Sequence, residues 1–192
     1  MLKRALLFLC LAVNSSLFAQ EESFLRYIKA SPADTLLPVA TTVKEQLQKE
    51  MRPLKKASQN SRLRLVLIGG NKEAGATVSR WLAAKKNQDL YLVSSGAMIT
   101  KFIGETEKNL QLLFDKATAT NAILFFDEAD ALFGESSTPG SNETNSTIIY
   151  WVKRMNEYKG TVLIACSGKA CLAEFGKQKF TSIQVAASME TQ

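Results

Sequence analysis

The sequence predicts an α/β fold built on a parallel sheet covered by helices on both faces. Three observations carry this. Short apolar runs recur at 65–68, 90–93, 122–127, 161–165 and 181–185, with the length of buried strands. Helical periodicity separates them, and repeated strand–helix–strand units imply parallel pairing. The third run, Ile123-Leu124-Phe125-Phe126-Asp127-Glu128, ends in two adjacent carboxylates. A buried strand reads this way when its C-terminal end opens into a ligand site, and parallel sheets bind ligands beyond those ends.

The chain has 192 residues, 46% of them hydrophobic, enough for one core and an appendage. Histidine is absent, which removes the usual general base and the commonest metal ligand. His/Cys metal centres are therefore not expected.

The N-terminus reads as an export signal over residues 1–19. Lys3 and Arg4 precede an apolar run from Ala5 to Val13, and Ala19 precedes the expected cut. An exported protein, periplasmic or secreted, follows; the alternatives are an uncleaved membrane anchor or a buried first helix. Cleavage removes both basic residues, lowering the formal charge from +6 to +4. It also removes Cys10 and leaves Cys166 and Cys171. In an oxidising compartment these two could close a small loop; equally, Cys166 could be a small apolar residue ending a strand.

Residues 20–61 contain Pro32, Pro38 and Pro53 and read as short helices joined by turns. Phe24, Tyr27 and Ile28 fall on one helical face, as do Val43, Leu47, Met51 and Leu54. Between Lys44 and Arg64 stand seven basic residues against Glu45 and Glu50. Such a stretch could meet nucleic acid or an anionic membrane. No aromatic residues interleave with the charges, which favours a solvated helix face and linker.

The domain proper spans 62–186, with a tail at 187–192. After the first strand comes a helix at 76–86 with Val78, Trp81 and Leu82 on one face. A second helix covers 105–119 through Leu110, Leu113, Phe114 and Ala117. A polar loop at 135–145 leads to a helix carrying Ile148, Val152 and Met155. The first strand runs into Gly69-Gly70-Asn71-Lys72-Glu73-Ala74-Gly75-Ala76-Thr77. A phosphate loop reads Gly, four residues, Gly, Lys, Ser or Thr, so its backbone amides wrap phosphates at a helix N-terminus. Gly70, Gly75 and Thr77 stand at that spacing, and Thr77 could meet Mg²⁺. Ala76 takes the lysine place. A lost charged hydrogen bond of about 1.5–3 kcal/mol weakens binding by roughly one to two decades. Lys72 is near in sequence but not at the inward-pointing position. An ordinary Gly-rich strand–helix turn reads the same way.

Two segments bring in a family. Lys101-Phe102-Ile103-Gly104-Glu105-Thr106-Glu107-Lys108-Asn109-Leu110 and Ala122-Ile123-Leu124-Phe125-Phe126-Asp127-Glu128-Ala129-Asp130-Ala131-Leu132-Phe133-Gly134 resemble the AAA ATPases. The resemblance covers roughly residues 62–185. It implies a P-loop NTPase-like, doubly wound sheet of five parallel strands and descent from ring-forming remodelling motors. It implies ATP and Mg²⁺ as cofactors, with Asp127 and Thr77 on the metal and Glu128 on the attacking water. Gly70, Gly75, Ala76 and Ser167 would line the nucleotide. Phe102 and Ile103 would form the apolar tip of a pore loop that grips polypeptide, unless they simply pack against a neighbouring helix.

The departures agree with one another. Ala76 replaces the phosphate lysine, Glu73 a loop glycine, and Ser167 the sensor asparagine. Gln178-Lys179 stands where two arginines should reach a neighbour's γ-phosphate, and lysine lacks the arginine fork. The chain stops at Gln192, before the family's helical lid. The expectation is a degenerate AAA-type domain, exported, acting by protein binding without turnover. The alternative is an ATP-binding subunit completed by partners in a ring or mixed oligomer. A third is a module meeting nucleic acid or membrane through residues 44–64.

Overall fold

The computed structural model describes residues 24–52, 62–99, 104–133 and 142–185. In chain order these form β1 (Leu25–Ile28), α1 (Thr41–Met51), β2 (Arg64–Ile68), α2 (Lys72–Lys86), β3 (Leu90–Ser94), α3 (Glu105–Thr120), β4 (Ile123–Asp127), α4 (Asn142–Glu157), β5 (Val162–Cys166), α5 (Lys169–Lys177) and β6 (Thr181–Gln184). Short 3₁₀ turns lie at Pro32–Leu36 and Ala129–Leu132, and a single helical turn at Ser95–Met98. Among the described residues no helix is long and apolar enough to cross a membrane.

The strands make one sheet in the order β1-β3-β4-β5-β2-β6. All pairings from β3 to β6 are parallel, so the five expected parallel strands are present. The sixth, β1, corrects the expectation of a helix at residues 24–28. It pairs antiparallel with β3, Leu25 opposite Val93 and Ile28 opposite Leu90. Aromatic and β-branched residues suit a sheet edge, and cross-strand contacts outweigh the helical spacing. Tyr27 packs on Tyr91 with ring centroids 5.3 Å apart, and its hydroxyl donates to Asp89 Oδ2 at 2.5 Å. The helix expected around Val43, Leu47 and Met51 forms as α1; Leu54 lies outside the described residues.

Two cores sandwich the sheet. α1 and α2 bury Val43, Leu47, Val78, Trp81 and Leu82 against Leu65, Leu67, Phe125 and Leu163. On the other face α3, α4 and α5 bury Leu110, Phe114, Trp151, Met155 and Phe175 against Phe126 and Ile164. Every residue of β4 is buried, and alternation sends Phe125 to one core and Phe126 to the other. The Trp151 indole meets Phe126 and Phe175 edge-on at 4.9 and 5.3 Å. Each such side chain contributes about 1.5–3 kcal/mol by burial.

Arg64, counted above in the basic stretch, is turned inward. Its guanidinium donates to the carbonyls of Gly160 at 2.5 Å and Met155 at 2.8 Å, and to that of Tyr158. It thereby closes the C-terminal end of α4, where a cation suits the helix dipole. Burial pulls its pKa down to about 10. Lys49 and Arg52, by contrast, face solvent on α1 and its C-cap.

Candidate site at the carboxyl edge of the sheet

β4 delivers Asp127 and Glu128 to the edge where the parallel strands end. Asp127 is buried, whereas Glu128 is exposed with a left-handed backbone, φ 51°. That conformation is uncommon for a non-glycine residue and marks a sharp turn off the strand. Asp127 Oδ1 accepts from the Glu128 amide at 3.0 Å. Burial raises the Asp127 carboxyl above its ordinary pKa, while the nearby Lys72 ammonium opposes the rise.

The glycine-rich segment takes a different shape from a phosphate loop. Only Gly69, Gly70 and Asn71 separate β2 from α2, and the helix begins at Lys72. Asn71 caps it: its side-chain oxygen accepts from the Ala74 amide at 2.9 Å and its carbonyl from the Gly75 amide at 3.3 Å. Amides from Ala76 onward belong to the helix ladder. Gly75 and Thr77 therefore lie on a helix, not in a loop. Packing explains the glycines at positions 70 and 75. Gly70 has φ +75°, and a Cβ there would lie 3.1 Å from Val185 Cγ1. A Cβ on Gly75 would come within 2.9 Å of the Phe125 ring. Gly75 thus lets α2 settle directly on β4.

That close approach places Lys72 where the sequence did not suggest. Its ammonium lies 3.8 Å from Asp127 Oδ2 and 3.5 Å from Glu128 Oε2. Lys72 is not at the inward-pointing position, but its exposed side chain still reaches these carboxylates from the surface. The cause is the early start of α2, which puts residue 72 one turn before Gly75 on the face that meets β4. Ala76, half-buried, joins Lys72, Glu73, Phe125 and Asp127 along a cleft of about 970 Å³. Thr77 is half-buried in the next position of α2.

Ser167 follows β5 and turns its polar atoms away from that cleft. Its hydroxyl donates to Asp130 Oδ2 at 2.9 Å and its amide to the same oxygen at 2.7 Å. The Gly168 amide donates to Asp130 Oδ1 at 2.7 Å. Asp130 is the residue that sequence reasoning passed over; its signal was a third carboxylate two residues beyond Glu128. The Cys166–Cys171 pair, left open above, is joined as a disulfide across this same turn, with Cα atoms 6.1 Å apart. Gln178 caps α5 and bonds with Glu174 and Asn156, and Lys179 is exposed with φ 59°. Phe102 and Ile103 lie outside the described residues.

The residues that a Mg²⁺-nucleotide would meet are partly engaged with one another: the amides of Ala74 and Gly75 bond to Asn71, those from Ala76 onward lie within α2, and the carboxylates of Asp127 and Glu128 face the Lys72 ammonium. The residues form a turn beside a cleft in which one ammonium meets two carboxylates.

Comparison with known proteins places this architecture. The family described as ATPase family associated with various cellular activities (AAA) matches residues 65–173. The chain is 29% identical over 139 residues to the ATPase family gene 2 protein of Saccharomyces cerevisiae, covering 67% of this chain and 17% of that protein. It is 35% identical over 57 residues to the proteasome-associated ATPase of Mycobacterium tuberculosis, covering 27% of this chain and 9% of the relative. The chain thus spans less than a fifth of the length of these relatives. Among solved structures, the FIGL-1 AAA domain superposes with a TM-score of 0.67 at 19% identity, over 88% of this chain and 60% of that one. The same domain in complex with ADP gives 0.63 at 17% identity, over 86% and 59%. A family match over more than half the chain, on a sheet of the same fold, means that this chain belongs to the AAA family of ATPases.

Proposed function

We propose that this AAA domain works by binding a protein partner and does not turn over ATP. The observation that carries the reading is the winding of residues 72–77 into α2, which engages the amides from Ala74 onward. Three further features support it. Ala76 offers no ammonium, the Ser167 hydroxyl is engaged by Asp130, and Gln178 stands at the place of a trans-acting arginine. Loss of such arginines lowers the rate by about 10³–10⁵ in nucleotidases that use them. Phe102 and Ile103, matching a polypeptide-gripping loop, are the proposed contact patch. Export through residues 1–19 is part of the proposal, and the Cys166–Cys171 disulfide supports an oxidising destination.

A second reading keeps a nucleotide. Asp127 and Glu128 stand together at the end of β4, and the FIGL-1 AAA domain was solved with ADP. On that reading the chain is a weak ATP-binding subunit, with ring partners supplying what it lacks. Calorimetry with Mg-ATP and a phosphate-release assay on the purified chain separate the two. The first reading expects no measurable hydrolysis and weak or absent binding. ATP turnover abolished by Glu128→Gln overturns it.

A further inference from the structure

We infer that Lys72 is a built-in competitor: its ammonium lies beside Asp127 and Glu128, where it competes with a metal cation for their carboxylates. The inference rests on the preceding reading only in taking the end of β4 as the ancestral metal position.

Lys72 sits against the helix field. It is the first residue of α2, where the dipole favours anions and disfavours a cation. The carboxylates of Asp127 and Glu128, at 3.8 and 3.5 Å, offset that cost. Its place is fixed by two independent contacts. The Asn71 cap sets where α2 starts, and the Gly75–Phe125 approach sets how low α2 rides on β4. Three helical residues rise about 4.5 Å and two strand residues about 6.6 Å. Lys72 thus stands over Asp127 much as Gly75 stands over Phe125.

Lys72 could instead substitute for the ammonium missing at Ala76 and anchor phosphate. The local charge argues against this. At the ammonium itself two carboxylates, Asp127 and Glu128, meet one lysine, a local excess of negative charge that favours a cation, while Arg26 and Lys116 also line the cleft. The ammonium side chain is 63% exposed, so its hold is modest and reversible. The two roles predict opposite signs. Removing an anchor weakens Mg-ATP binding; removing a competitor strengthens cation binding.

The test is Mn²⁺ binding to the full chain, followed by paramagnetic resonance of the free ion. Lys72→Met should bind Mn²⁺ about two- to fivefold more tightly than the unaltered chain, the range an exposed ion pair supports. Lys72→Arg, which keeps the charge, should behave like the unaltered chain. In a Glu128→Gln background the gain from Lys72→Met should shrink, because one partner is gone. Lys72→Gln serves as the second neutral variant should Lys72→Met fail to melt cooperatively. Unchanged, weaker or undetectable Mn²⁺ binding by a folded neutral variant overturns the inference. So does loss of Mg-ATP binding on removing Lys72. ATP hydrolysis plays no part in the readout, so an active enzyme would overturn the earlier reading and leave this one standing.

Discussion

Two strand-to-helix turns lie side by side at the carboxyl edge of the sheet, and they are secured in different ways. The turn after β2 is held by its own residues: an asparagine cap, two glycines with positive φ, and an exposed lysine reaching over to β4. The turn after β5 is held from outside. Asp130, 37 residues earlier in the chain, accepts its amides, and a disulfide closes it. The first turn is seated by close packing of its glycines on Val185 and Phe125. The second is tied to the turn after β4 by hydrogen bonds and closed by a covalent link. Packing secures one side of the site, and bonds the other.

Breaking the turn after β5 should have the largest effect. Asp130→Ala strips three hydrogen bonds to a carboxylate, and thermal unfolding should register a loss of about 3 kcal/mol. At roughly 2–4 °C per kcal/mol for a chain of this size, that is a large fall in melting temperature. A loss no greater than that of an asparagine cap would erase the distinction between the turns. Next comes the covalent link. Replacing Cys166 and Cys171 together by Ala opens a short loop and should cost about 2 kcal/mol on the chain-entropy scale. Calorimetry of the oxidised protein and the variant reads the difference; equal midpoints would show that Asp130 alone secures the turn.

The turn after β2 should yield less. Asn71→Ala removes one cap and should cost about 1 kcal/mol in denaturant unfolding. A loss matching that of Asp130→Ala would mean that this turn, too, is structurally decisive. The smallest effect concerns Asp127. Its native pKa is raised by burial, so the folded state is disfavoured once this carboxyl ionises. Asp127→Asn should therefore stabilise the protein at neutral pH, by less than about 1 kcal/mol given the solvent at the site. The gain should begin to shrink as pH falls through the raised native pKa and should vanish only below the ordinary carboxylate pKa of the unfolded chain. A variant less stable than the parent at pH 7 would mean that Lys72 outweighs burial.

Much of this was legible in the residues. The five parallel strands announce themselves as apolar runs because both faces of each are covered. Asp127 and Glu128 are legible as the polar end of such a run, where β4 stops and the chain turns toward solvent. β1 was not legible. Phe24, Tyr27 and Ile28 match helical spacing, and their partners on β3 lie more than 60 residues away. The spacing of Gly70, Gly75 and Thr77 is legible as a loop signature, but its winding into α2 depends on the Asn71 cap and on Phe125. The reach of Lys72 follows from that winding. Ser167 could be located by its strand, but its bond to Asp130 required the turn after β4 to be in place. The proposed contact residues Phe102 and Ile103 fall outside the described residues.

The strand order has a consequence for how the chain comes together. β2 lies between β5 and β6, the last two strands among the described residues. Until residue 162 exists, β2 has no neighbour, and the growing chain can join only β1, β3 and β4. Arg64 waits as well, since the carbonyls that receive it belong to Met155, Tyr158 and Gly160. Pairing across such separations is slow, because loop entropy opposes it before any contact is gained. Closure of the sheet around β2 thus waits until residues 162–184 have emerged.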